Sequence, residues 1–151
     1  MSTTASQAWA AVRARVEAGE IAVPIRWQGE SSEPLPDEPA PFVFVIFNNR
    51  GTGGRPMAFG GGAGRNEWRN NAVVEAFAFV PAAQGLIAAM DLAESIAARL
   101  RSYRGAGISC SAADVIPIGP GSDIDVPGMK SPVSAYQCAV CEVQLTFDHV
   151  G

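Results

Sequence analysis

Two runs of this chain, residues 42–47 (FVFVIF) and residues 73–80 (VVEAFAFV), place apolar side chains on both faces of a strand. For 42–47 this implies a central strand covered on two sides. Between the two runs lies 48–71, with seven glycines, four arginines and no helical periodicity. Two strong strands flanking such an insert predict a long antiparallel hairpin whose tip leaves the domain body as a Gly/Arg-rich arm. So long a stretch without secondary structure is uncommon inside a compact domain and is usually functional or disordered.

The remaining segments supply the layers. Thr4 and Gln7 have capping-box spacing, and Trp9, Val12 and Val16 follow on one helical face, with Gly19 where a C-terminal glycine is expected. Ile21, Val23, Ile25 and Trp27 alternate as a strand, which Pro24 confines to an edge or a bulge. Residues 28–41 carry four prolines and four acids (Glu30, Glu33, Asp37, Glu38) and predict a solvated loop. Over 82–103, Leu86, Met90, Ala93, Ala97 and Leu100 recur at helical spacing, and Ile96 widens the stripe. Residues 108–118 predict one bulged strand or a strand pair, broken by Pro117, and 119–132 a second turn-rich loop. The closing strand alternates Ala139, Cys141, Val143, Leu145 and Phe147 with Val140, Glu142, Gln144 and Thr146, which gives it one clearly apolar face. The order is α-β-β-(insert)-β-α-β-β. It predicts one α+β domain over residues 1–151: two layers, a mainly antiparallel sheet, and the N-terminal and long helices packed on one face.

Composition removes several function classes. With 11 Lys+Arg against 15 Asp+Glu, a net charge of −4 and only 17% charged residues, the chain lacks the basic surplus that nucleic-acid binding needs. No window has the apolar length of a membrane span, and MSTTASQAW lacks the basic-then-apolar order of a secretory signal. The single histidine, His149, lies two residues from the C-terminus, so a Ser-His-Asp or Cys-His site would rest on a frayed end. Three cysteines, an odd number, fit a reducing compartment better than a disulfide framework. No enzyme activity, cofactor or metal is expected.

Each chemical motif has a plainer reading. Cys138 and Cys141 match C-x-x-C, but positions i and i+3 of a strand point to opposite faces, and no second ligand pair completes a zinc site. Residues 60–65 (GGGAGR) resemble a phosphate loop without its Lys-Ser/Thr pair or an apolar helix to follow. Asp123 and Asp125 sit in a turn composition that holds too few carboxylates for a calcium loop. The arm is different: Arg50, Arg55, Arg65 and Arg69, with Trp68 among them, are residue types enriched where interfaces concentrate their binding energy. They form the candidate subunit or tube interface, the alternative being a solvated loop. An acidic body with a basic arm suits like copies meeting in a ring.

The opening helix followed by AVPIRWQGESSEPLPDEPAPFVFVIFNN resembles the start of phage tail terminator proteins, the lambda-type tail-completion subunits. The similarity continues through the hairpin, the Ala-rich helix, GISCSAADVIPIGP and QCAVCEVQLTF. It is one of order and spacing and carries no catalytic motif. The resemblance implies a two-layer α+β subunit forming a ring, a hexamer, on the head-proximal end of the tail tube. There it would stop tube polymerisation and offer a surface to the head–tail connector or stopper protein. Its partners would be its own copies, the tail-tube protein and that connector, within the virion, with DNA passing the channel unbound. Other readings are a connector or tail-tube subunit, and a small enzyme or ligand-binding module with the Gly-rich arm as a lid.

Overall fold

The chain enters its first helix, α1 (Ala5–Glu17), through the capping box that the sequence predicts. The Gln7 N–H donates to Thr4 Oγ1, and Gln7 Oε1 accepts from the Thr4 N–H, at 3.3 and 2.8 Å. In this computed structural model, residues 2–30, 34–48, 57–60, 62, 64–121 and 135–150 are described. Seven strands follow α1 or frame the second helix: β1 (Ile25–Trp27), β2 (Phe42–Asn48), β3 (Met57–Phe59), β4 (Glu67–Pro81), β5 (Arg104–Gly105), β6 (Ile108–Pro120) and β7 (Tyr136–Val150). A 3-10 turn at Ala82–Gln84 leads into α2 (Gly85–Leu100). The strands form one sheet in the order β1-β2-β4-β7-β6-β5, with β3 also on β4. Every pairing is antiparallel except β1 with β2.

Strand parity sorts the side chains into two cores. On one face Val43, Val45, Val74, Ala76, Ala78, Ala139, Cys141, Val143 and Leu145 pack beneath both helices, which contribute Ala8, Val12, Val16, Ala89, Ala93, Ile96, Ala97 and Leu100. Alanines at 89, 93 and 97 bring α2 close to the sheet. The opposite face holds a second, aromatic core of Phe42, Phe44, Ile46, Phe77, Phe79, Tyr136, Cys138 and Val140, with Leu35 and Ile118 against it. Phe42 stacks on Phe79 at 4.8 Å, and Tyr136 meets both edge-on. The two-layer α+β architecture with both helices on one face is therefore the observed one, and the apolar character of both faces of β2 and β4 has its cause in these two cores.

Four expectations change in detail. The strand expected at 21–27 shortens to β1 at Ile25–Trp27 and pairs parallel with β2, the Pro24 carbonyl accepting from the Val43 N–H. The helix expected at 82–103 begins with a 3-10 turn and ends at Leu100. Its buried stripe is Ala89, Ala93, Ile96, Ala97 and Leu100, so Leu86 and Met90 are only half-buried. The arm expected at 48–71 is not one loop: β3 lies within it and β4 starts at Glu67, because residues 67–69 pair with both β3 and the end of β7. Finally, His149 is no frayed residue. It sits in β7 opposite Trp68, and Ser2 Oγ lies 3.3 Å from its Nδ1.

Candidate functional site

At one end of the sheet, β4 and β7 run beyond the last pair of β2, Asn48 with Val73, as a ribbon edged by β3. Cross-strand register places Arg69 opposite Asp148, and the guanidinium grips the carboxylate with two bonds of 2.9 Å, Nε to Oδ1 and Nη2 to Oδ2. Arg69 holds the Asp148 carboxyl below its ordinary range, chiefly through these bonds. The N-terminus ties into the same place. The Thr3 N–H donates to the Asp148 carbonyl at 2.7 Å, and Ser2 Oγ accepts from the Val150 N–H at 3.1 Å.

Beside this ribbon, β5 and β6 close a two-residue hairpin through Ala106 and Gly107, at φ 50° and 82°, a turn with two left-handed residues. Gly107 also abuts the buried Thr3 side chain, so a Cβ there has no room. Two open cavities flank the hairpin. One, of about 390 Å³, is lined by Thr3, Glu67, Arg69, Arg104, Thr146 and Asp148 among others. The other, of about 590 Å³, lies where β6 bulges between Cys110 and Ala113 and is lined by Arg101, Arg104, Ser102, Ser109, Ser111 and Asp114 among others. Arg101 bonds to Glu94 Oε1 at 2.8 Å and to the Ala113 carbonyl at 3.1 Å.

The residues singled out from sequence separate under this geometry. Trp68 (36% exposed) and Arg69 stand on β4 rather than in an unstructured arm. Arg65 is exposed next to them, its N–H donating to the Gly62 carbonyl at 3.0 Å. Arg50 and Arg55 lie outside the described residues, as do Asp123, Asp125, Gly61 and Ala63. The glycine run leads from β3 into β4, a strand-to-strand connection rather than the strand-to-helix turn of a phosphate loop. Cys138 belongs to the aromatic core and Cys141 to the helix-side core, so their sulfurs diverge as the strand parity required. Burial pushes the thiols up, Cys110 to about 11 and Cys138 and Cys141 to about 12, which keeps them protonated and unreactive at neutral pH.

One constellation escaped the sequence reading. Glu75, Glu142 and Asp114 are register partners on three adjacent strands, in a row across the face that carries no helix. Glu142 and Asp114 look like ordinary solvated charges until pairing sets them beside Glu75. Burial, with Glu142 adding to it, raises the Glu75 carboxyl above its usual value. Among the described residues no group of three or more His, Cys, Asp or Glu could hold a metal ion, and no helix is long and apolar enough to cross a membrane. No protein-family model matches the chain, and no curated protein is detectably similar to it in sequence.

Proposed function

We propose that this chain is a structural virion protein of the tail-terminator kind: copies close into a ring, a hexamer, on the head-proximal end of a phage tail tube. The ring stops tube polymerisation and presents the surface to which the head–tail connector attaches. The observation that carries the reading is the ribbon beyond β2. There Trp68 stands part-exposed on β4, and the exposed Arg65 precedes that strand by two residues, where the arginine-rich stretch 48–71 rejoins the sheet. An exposed aromatic side chain with an arginine close by is the kind of surface from which one protein anchors on another. The order and spacing of the elements, which resemble the terminator family, give that anchor its partners. Arg50 and Arg55 join Arg65, Trp68 and Arg69 in the proposed subunit or tube interface. An acidic body also suits a channel through which DNA passes without adhering, since like charge opposes phosphate contacts.

Electron microscopy of particles assembled without this protein tests the proposal. Overlength tail tubes detached from heads are the expected result. Tails of normal length that fail to join heads would assign the protein to the connector instead. Unchanged particles would overturn the virion reading and return attention to the glycine-rich stretch as a lid.

A further inference from the structure

We infer that the open edge of β6 is a self-pairing surface: residues 113–117 of two copies join antiparallel about a two-fold axis at Val115. The inference goes beyond the ring reading, because a contact between identical patches closes at two copies. β6 shifts register against β7 between Cys110 and Ala113 and again between Pro117 and Gly119, and residues 113–117 between these bulges pair regularly. On its other side β6 is covered by β5 at Ile108 and Ser109, and among the described residues no other strand lies there.

In a strand both polar backbone groups of a residue point to one side, and successive residues alternate. The Ala113 carbonyl accepts from Arg101 Nη2 at 3.1 Å, so Ala113 faces away from β7. Val115 and Pro117 therefore face outward too, while Asp114 and Ile116 bond to β7 opposite Glu142 and Val140. The outward N–H and carbonyl of Val115 have no hydrogen-bond partner among the described residues. Pro117 offers a carbonyl and no N–H. Nothing covers the edge from the side: Ile116 is 40% exposed, and Asp114 and Pro117 are exposed beside it.

These groups complement themselves. With the axis at Val115, the two Val115 residues exchange both of their bonds, and each Ala113 N–H donates to the Pro117 carbonyl of the other copy. The missing donor of Pro117 falls opposite the Ala113 carbonyl, which Arg101 at the end of α2 already satisfies. A strand without a proline at that place would bring a surplus N–H against the filled carbonyl. The fitting occupant is therefore the same edge of a second copy. An axis at Ile116 would leave the Val115 carbonyl facing proline, and one at Asp114 would oppose two like carboxylates. With the axis at Val115, Asp114 stands opposite Ile116 of the other copy instead. Both strands bend away at their bulges, and the Ser102 N–H already covers the Ser111 carbonyl, so the pairing ends there.

Sedimentation velocity and disulfide trapping on the full chain test the contact. The chain is expected to dimerise reversibly. Val115→Pro removes an N–H that β7 does not use, and the lost reciprocal bonds should weaken the dimer by about tenfold or more. Circular dichroism verifies that each variant folds. For trapping, Asp114→Cys and Ile116→Cys chains are mixed in oxidised glutathione, the three native cysteines being buried. Directly opposed residues of this kind stand about 4.5 Å apart at Cα, within disulfide reach. Two copies of the same variant residue lie about 8 Å apart, beyond that reach. The mixture is therefore expected to cross-link, and neither variant alone. A chain monomeric at every concentration reached, a folded Val115→Pro variant that dimerises like its parent, or Ile116→Cys cross-linking with itself as fast as in the mixture would each overturn the pairing. Tail assembly decides the ring reading separately. Overlength tails beside a monomeric chain keep the terminator and overturn the pairing, and trapped dimers beside unchanged particles do the reverse.

Discussion

Tyr136 shows how a single side chain departs from its surroundings. It is 3% exposed, wedged edge-on against Phe42 and Phe79, and its hydroxyl has no hydrogen-bond partner among the described residues. Burying an unpaired hydroxyl costs about 1–3 kcal/mol, while the ring contributes its full apolar area. Tyr136→Phe keeps the ring and removes the orphan, so urea unfolding should show a gain of about 1 kcal/mol. A loss of that size would mean that the hydroxyl has a partner. Nothing in a linear chain says which tyrosine has its oxygen sealed in, because that depends on neighbours from β2 and β4. The cysteines were more legible. Their spacing on one strand dictated opposite faces, and the two cores bear this out.

At the scale of the element, the sheet face away from the helices divides into an aromatic half and a carboxylate row. Glu75 and Glu142 are directly opposed, and like charges in that position destabilise a strand pair. The Glu75 carboxyl is raised by burial first and by Glu142 second, so the folded protein holds this proton more tightly than the unfolded chain. Its contribution is then fully present below the ordinary glutamate range and is lost as pH rises through the raised value. Asp148 and Glu94 act in the opposite sense. Arg69 and Arg101 lower them, and their contributions disappear only as pH falls through the lowered values. Glu75→Gln should therefore be more stable than the parent by about 0.5 kcal/mol at neutral pH, with the difference shrinking as pH falls toward the carboxylate range. Urea midpoints at about pH 5 and about pH 7.5 check it, and a gain independent of pH would remove the charge explanation. The glutamate inside VVEAFAFV was visible as the one charge in an apolar run. Its significance came only from the register that set Glu142 and Asp114 beside it.

For the whole molecule, stability is concentrated where the two cores lie back to back. Residues 76–79 of β4 and 138–141 of β7 pair with each other between the helix-side and aromatic cores and are buried throughout. Their amides should exchange slowest, by orders of magnitude relative to those of the short edge strands β1 and β5. Equal protection in β1 would contradict a sheet organised around β4 and β7. Much of this plan could be read from the chain: the apolar runs, their two-sided burial, the capping box, the small-residue helix and the α+β order all depend on the local repeat of side chains along an element. Such repeats are properties of consecutive residues, so the sequence by itself determined them. The parallel pairing of β1, the division of the 48–71 stretch by β3 and β4, the Arg69–Asp148 clasp and the carboxylate row depend on which distant strands come together and in which register. Register joins residues dozens of positions apart through the summed burial of both sheet faces, a quantity that exists only once the chain is folded.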